Sequence, residues 1–374
     1  MAKRRFSAEP QIPKYRQVLE SLTKDILTGK YQPRQKFPSE AALVQQFATS
    51  RITIGRALRE LSQKGLIERI AGSGTYVRPT RQSKENLVFG LLIPDLGHTE
   101  IFEPICQGIA GAPQGREHAL LWGHAASAGA SLAEQALELC DRYIQRNVAG
   151  LFFAPLEAGD PSGVTNMTIL SRLEKARIPI VLLDRCVLPY PRRSAHDLVG
   201  IDNRRAGYLA TQHLLAAGAG RVSFVVKAGA AQTAHARITG FREALTAHGV
   251  DLKDSPVYRL DSITEASVAP LLDAAIAGDG FVCGNDRTAG RLMRVVLALG
   301  KKIPEDVRIV GIDDVEYASL LPIPLTTIHQ PCREIGEAAM QAMLDRLARP
   351  QSLARDILLE CHLVVRASCG ALPV

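Results

Sequence analysis

Apolar positions along this chain follow two different rhythms, one before about residue 80 and one after it. Leu43 and Phe47, then Ile54, Ala57, Leu58 and Leu61, recur at helical spacing, which predicts two short amphipathic helices. Ser39 and Ser50 stand just ahead of these stripes, where a side-chain oxygen can accept from an unpaired first-turn N–H. An earlier helix carrying Val18, Leu22 and Ile26 offers both a packing face, and Arg51, Thr53, Arg56 and Arg59 are left on the outside of the second. Gly65 ends that helix, Leu66 to Ile70 and Thr75 to Val77 read as strands, and Gly72-Ser73-Gly74 is the tight turn between them.

The predicted unit is a winged helix-turn-helix, a DNA-docking pattern in which the second helix enters a groove. Beyond it, short apolar runs begin at 87, 119, 149, 178, 198, 221, 280 and 307 and alternate with helical segments. Strand and helix in alternation predict parallel sheets covered by helices on both faces. Eight such runs exceed one small doubly wound sheet, so two similar lobes meeting at a cleft are expected. The polar stretch TRQSKEN between the two rhythms places a headpiece at 1–80, a linker at 81–86 and an effector domain at 87–374.

Charge sharpens the division. Residues 1–85 carry 17 Lys and Arg against 7 Asp and Glu, whereas the remainder carries 28 against 31. A basic surface coinciding with a DNA-docking pattern predicts double-stranded DNA as partner. No run approaches about 20 apolar residues and the basic N-terminus lacks the apolar core of an export signal, so a cytoplasmic protein with no membrane partner is expected. Seven widely spaced cysteines without metal-ligand spacing read as reduced structural thiols. A phosphate-binding Walker loop, a Gly-x-Ser-x-Gly elbow and metal-spaced clusters are all missing, and Gly218-Ala219-Gly220 follows a helix and precedes a strand, the wrong order for dinucleotide binding. The reading is of a non-enzyme with no catalytic residues, cofactor or metal.

The headpiece resembles the gluconate-repressor (GntR) family through Tyr15, Gly29, Pro33, Pro38-Ser39-Glu40, Leu43, Ser50-Arg51, Thr53, Ala57-Leu58, Leu61, Gly65-Leu66-Ile67 and Gly72-x-Gly74-Thr75-Tyr76-Val77. That resemblance implies that Arg51 and Thr53 face base edges or phosphates, that Ser39 meets phosphate, and that Gly74 brings the wing to the minor groove. Ser50, Arg56, Arg59 and Thr75 complete the expected DNA-binding set. One departure stands out: Gly55 occupies a position where the family often has a second arginine, which shifts the expected major-groove contact to Arg56.

Residues 87–369 resemble the periplasmic sugar-binding fold of lactose and galactose repressors, through Phe89 to Pro94, Pro179 to Arg185, Gly284-Asn285-Asp286, Val310 to Asp314 and Leu325 to Gln330. The resemblance implies lobe one at about 87–190 and 328–350, and lobe two at about 198–312 and 356–374. It also implies an effector site of Asp184, Arg185, Arg237, Asn285, Asp313 and Gln330, with Arg237 opening its helix. Phe102 is the expected aromatic face for a sugar ring, whereas Trp122 is assigned to the core. Asp95 and Glu157 lie near strand ends of the first lobe with less claim on the ligand, because the segment HTEIFEP departs from the family pattern, and His98 and His235 would add positive charge near the cleft suited to a phosphorylated or acidic sugar. Sugar hydroxyls both donate and accept, so a dry pocket for them needs carboxylates, amides and guanidiniums together. The combination of parts is similar to that of bacterial arabinose repressors and implies a homodimeric, sugar-responsive repressor. The rivals are a regulator answering to a purine, nucleoside or phosphorylated sugar, and a solute-binding protein for sugar uptake.

Overall fold

The computed structural model describes residues 13–27, 30–32, 35–70, 73–77, 86–93, 100–113, 115–123, 130–157, 163–273 and 278–371. The chain divides into residues 1–85 and residues 86–374. Of the predicted linker, 81–85 lies outside the described residues, as do Gly72, Asp95 and His98.

Three helices build the headpiece: α1 (Lys14–Leu27), α2 (Glu40–Phe47) and α3 (Arg51–Gln63). Ser39 Oγ accepts from the Ala42 N–H and Ser50 Oγ from the Thr53 N–H, both at 3.2 Å, so each hydroxyl satisfies a first-turn donor. Val18, Leu22, Ile26, Leu43, Ile54, Leu58 and Leu61 form the buried core, joined by Phe37 and Val77. Gly65, at φ +72°, takes the left-handed position that releases the chain from α3. Strands β1 (Ile67–Ile70) and β2 (Gly74–Val77) pair antiparallel with Ile67 opposite Val77, forming the wing.

The effector domain holds two six-stranded sheets. The first contains β3 (Val88–Leu92), β4 (Ala119–Leu121), β5 (Gly150–Phe153), β6 (Ile180–Leu183), β7 (Asp197–Ile201) and β13 (Asp356–Leu359), in the order β13-β7-β6-β5-β3-β4. The second contains β8 (Val222–Lys227), β9 (Val257–Leu260), β10 (Asp279–Cys283), β11 (Val307–Asp313), β12 (Thr326–His329) and β14 (His362–Val364), in the order β14-β12-β11-β10-β8-β9. All pairings are parallel except β12 with β14. Helices α4 (Phe102–Gly111), α5 (Leu132–Gln145), α6 (Val164–Lys175) and α11 (Cys332–Ala348) cover the first sheet. Helices α7 (Asn203–Ala216), α8 (Gln232–Ala247), α9 (Glu265–Asp273) and α10 (Asp286–Ala298) cover the second.

The lobe edges differ from those expected. Strand β7, assigned from 198 to lobe two, pairs with β6 in the first sheet, so the chain crosses after Ile201. Strand β12 lies wholly in the second sheet, so the return crossing follows His329. Strand β13, also assigned to lobe two, pairs with β7, and the last crossing falls between Leu359 and His362. The physical reason is Asp197: its fully buried carboxylate accepts from Arg346 Nη2 at 2.8 Å and from the Arg355 N–H at 2.8 Å, tying β7, α11 and the start of β13 together. Helix pairs pack closely in both lobes. A Cβ on Gly207 would lie 1.9 Å from the Arg237 carbonyl and one on Gly240 1.8 Å from the Arg204 carbonyl, so only glycines let α7 and α8 approach this far. Gly108 and Gly336 play the same part between α4 and α11.

Replacing Asp197 with alanine leaves the largely buried Arg346 guanidinium without its carboxylate. The expected loss is about 3–5 kcal/mol in the effector-domain transition of a urea unfolding curve.

Candidate functional site

Strand ends deliver the polar side chains. In a parallel sheet, the loops after the strands open into a crevice at their C-terminal edge. Asp184 and Arg185 follow β6, Asn285 follows β10 and caps α10, and Asp313 is the last residue of β11. They line a cavity of about 300 Å³ whose walls come from both lobes, together with Arg237, Glu100, Glu157, Arg287 and Thr288. Arg237 sits in the second turn of α8 and not at its start, and the close α7–α8 approach holds it there.

At the base of this cleft the Arg237 guanidinium, 5% exposed, donates to Asn203 Oδ1 at 2.8 Å and to the Gly284 carbonyl at 2.6 Å. Its third nitrogen lies 3.5 Å from Asp313 Oδ1, which also accepts from Gln330 Nε2 at 2.6 Å. Burial pushes the Asp313 carboxyl up to about 8, against the downward pull of Arg237, and the nearby Asp286 adds to the rise. Asp286 is itself pushed up to about 6 by burial, although it accepts from the Thr327 hydroxyl at 2.5 Å and the Val315 N–H at 3.1 Å. Gln330 is buried and absent from the cavity wall, so it orients Asp313.

On the first-lobe side, Arg185 makes bonds to Asp184 Oδ2 at 3.0 Å and to Glu157 Oε2 at 3.0 Å. Asp184 Oδ1 is buried and has no hydrogen-bond partner among the described residues, so an acceptor is available to a ligand donor there. Asn285 uses Oδ1 to accept from the Thr288 N–H at 2.9 Å, which leaves its amide NH₂ for a ligand. Phe102 is buried beneath the cleft, with Arg185 5.7 Å from its ring centre, and is not part of the wall. Its placement supports Arg185 where a ring facing the cavity had been expected. Trp122, assigned to the core, is 55% exposed at the end of the short edge strand β4, and His235 lies outside the cavity wall.

Glu157, a minor candidate in the sequence, joins the lobes: Oε1 accepts from the Ala231 N–H at the start of α8 at 2.7 Å. A carboxylate there is favoured by the positive end of the helix dipole. A second bridge runs from Glu100, ahead of α4, to Arg287 of α10 at 2.8 Å, with the Tyr317 hydroxyl at 3.5 Å. Neither bridge is visible in the sequence, because each pairs residues far apart in the chain. The one available signal was that Glu157 lies four residues past β5, on the crevice side.

In the headpiece, Arg51 is exposed at the first turn of α3 and makes no ion pair among the described residues. Thr53 is half-buried and its hydroxyl shares a 2.9 Å bond with Ser50. Arg56 stacks over the Tyr15 ring at 3.8 Å and lies 3.7 Å from Glu60, so it is held toward α1. Arg59 Nε donates to the Gly55 carbonyl at 3.3 Å. Gly74 has φ +126° and its missing Cβ leaves room for Lys36, while the Thr75 carbonyl accepts from the Phe37 N–H at 2.7 Å. Arg69 on the wing pairs with Glu40 at the head of α2. Ile52, which carries no pattern signal in the sequence, is 82% exposed on α3. Among the described residues no group of His, Cys, Asp and Glu could hold a metal ion, and no helix is long and apolar enough to cross a membrane.

Comparison with known proteins agrees with this layout. Residues 14–77 match the model of bacterial regulatory proteins of the gntR family, and residues 211–369 that of a periplasmic binding protein-like domain. The arabinose metabolism transcriptional repressor of Geobacillus stearothermophilus is 29% identical over 373 residues, covering 96% of this chain and 98% of the relative. The ribose operon repressor of Bacillus subtilis strain 168 is 27% identical over 272 residues, covering 72% and 77%. Among solved structures, a LacI family transcriptional regulator from Enterococcus faecium with bound ribose superposes with a TM-score of 0.62 at 27% identity, covering 75% of this chain and 98% of that one. The chain therefore carries an N-terminal DNA-binding domain of the gntR family, followed by a two-lobed periplasmic-binding-protein-like domain.

Proposed function

We propose that this protein is a cytoplasmic, homodimeric repressor that grips operator DNA through its headpieces and releases it when a neutral monosaccharide enters the interlobe cleft. One observation carries the choice of ligand: the cleft offers a buried, unpaired carboxylate oxygen of Asp184 beside guanidinium, amide and carboxylate groups. That is the mixed donor and acceptor surface that polyol hydroxyls require, since any group left unpaired in a dry pocket costs about 1–3 kcal/mol. Acidic and basic groups of the wall are equal in number, Glu100, Glu157, Asp184, Asp261 and Asp313 against Arg185, Lys227, Arg237, Arg287 and Arg291, and with Asp313 protonated below about 8 only one positive charge is left over at neutral pH. The relatives named for arabinose and ribose support a pentose.

In this reading Asp184, Arg185, Arg237, Asn285 and Asp313 contact the sugar, and Gln330 and Phe102 position them. Ser39, Ser50, Arg51, Thr53, Arg56, Arg59, Gly74 and Thr75 form the DNA face. A headpiece reads one half-site, so a two-fold operator calls for a two-fold protein. Sugar shifts the balance between conformations only by binding one better than the other, and the Glu157 and Glu100 bridges are the contacts that closure makes or breaks. No reaction is assigned to the protein. A sugar phosphate is the second reading, favoured by Lys227 and Arg291, which line the cleft without an ion-pair partner among the described residues. Against it, the anion position at the start of α8 is already taken by Glu157.

Thermal melting of the full-length protein with L-arabinose, D-ribose, ribose 5-phosphate and adenine separates these readings. A neutral pentose is expected to raise Tm, by the amount that about 2.7 kcal/mol of linkage gives at a hundredfold excess over Kd. Arg237→Ala and Asp184→Ala each abolish that shift; a shift from the phosphate ester alone moves the assignment to the anionic ligand, and a full shift in both variants removes this cleft from the function. In gel-shift titrations on a duplex selected from a random pool by the protein, the same pentose weakens binding, whereas Arg51→Ala weakens it without sugar.

Asp313 makes stability depend on pH. Its folded value of about 8 lies above its ordinary 3.8, so the folded state binds more protons between those limits and loses stability as pH rises through them. Asp313→Asn lacks this group, so the unfolding free energy of the wild type minus that of the variant should fall from pH 4 toward pH 8 in sugar-free urea melts. A difference that stays essentially flat over that interval would mean that Arg237 keeps the carboxylate ionised.

A further inference from the structure

Two residues of α3 have no explanation inside the protein. The helix buries Ile54, Ala57, Leu58 and Leu61, yet its other large aliphatic side chain, Ile52, is 82% exposed in the first turn beside Arg51. Isolated exposed aliphatics are common on protein surfaces, so this alone decides nothing. Gly55 supplies the second observation. It lies one turn on, at the i+3 position from Ile52, and a Cβ built there meets nothing within 4 Å. Its φ is not in the left-handed region either, so neither packing nor backbone conformation calls for glycine. Glycine weakens a helix interior relative to alanine, and here the headpiece gains no internal contact in exchange.

Ile52 and Gly55 share one face of α3, with Arg51 before them and Arg59 Nε folded back onto the Gly55 carbonyl at 3.3 Å. The face is a cationic border around an aliphatic knob and a bare stretch of backbone. In the major groove the apolar feature on a base edge is the C5-methyl group of thymine. We propose that Ile52 reads a thymine methyl group in each operator half-site, and that Gly55 admits α3 to the groove depth at which this contact forms. The inference rests on the DNA-reading role of the headpiece. It replaces a hydrogen-bonding reader at position 55 with an apolar one at position 52, which accounts for a glycine where an arginine is often found.

The test uses the full-length protein and a duplex enriched by it from a random-sequence pool, with binding followed by fluorescence anisotropy at one fixed salt concentration. Thymines are replaced singly by deoxyuridine, which removes only the methyl group. For the wild type, one replacement per half-site is expected to weaken binding about fourfold, the effect of withdrawing one buried methyl group. Ile52→Ala should show a similar loss on the intact duplex and no further loss on the deoxyuridine duplex. Gly55→Ala should raise the Tm of the headpiece transition while weakening operator binding, a pair of opposite effects that a purely structural glycine would not produce. The proposal is overturned if Ile52→Ala binds the intact duplex as the wild type does, if it keeps the deoxyuridine sensitivity, or if no thymine methyl matters to the wild type. Failure of the wild type to enrich any duplex would instead strike at the DNA-reading role itself.

Discussion

A buried guanidinium sets the geometry of the cleft. Arg237 is held by Asn203 of α7, the Gly284 carbonyl just past β10 and the carboxylate that ends β11, so three parts of lobe two converge on one side chain. A charge taken out of water is tolerable only when such partners surround it. The partners can surround it only because Gly207 and Gly240 let α7 and α8 lie against one another. Asp313 in turn is fixed from the far side by Gln330, and Asp286, anchored by Thr327, raises the cost of its charge.

The two lobes are linked by bonds of moderate strength. Glu157 accepts from the Ala231 N–H just ahead of α8, and Glu100 reaches Arg287, in both cases at partly exposed sites. Such contacts are worth about 0.5–3 kcal/mol each. Turning a two-state equilibrium from 1:99 to 99:1 takes about 5.5 kcal/mol of differential affinity. The bridges are therefore weak enough for a small polar ligand to outweigh, and strong enough to keep both lobes in register around the cavity. The close glycine contacts within each lobe and the sheets beneath them are the rigid bodies that such a motion would leave intact.

The headpiece was legible almost residue by residue, because its signals are local: a hydroxyl ahead of an apolar stripe, a glycine past its end, and two strands separated by a turn. The core strands of the effector domain were legible for a similar reason, since strands buried on both faces leave unbroken apolar runs at β3, β5, β6, β10 and β11. Strands β9, β13 and β14 were missed as apolar runs. They are edge strands with half-exposed side chains, and sequences such as Asp356–Leu359 show no continuous apolar stretch. Strand β12 is absent from those apolar runs because two of its four residues are buried threonines, whose hydroxyls are bonded inside the fold.

The sequence by itself determined that a basic reading domain precedes an α/β domain of two lobes, and which polar residues end the buried strands, because capping, periodicity and strand burial act over a few neighbouring residues. Only the tertiary structure decided which lobe each crossing strand joins, that Glu157 and Glu100 bridge the lobes, that Phe102 lies under Arg185 and outside the cavity, and that Trp122 faces solvent. Those outcomes depend on pairings between residues tens to hundreds of positions apart. The choice among such pairings is made by buried charges such as Asp197 and Arg237, whose partners no local pattern specifies.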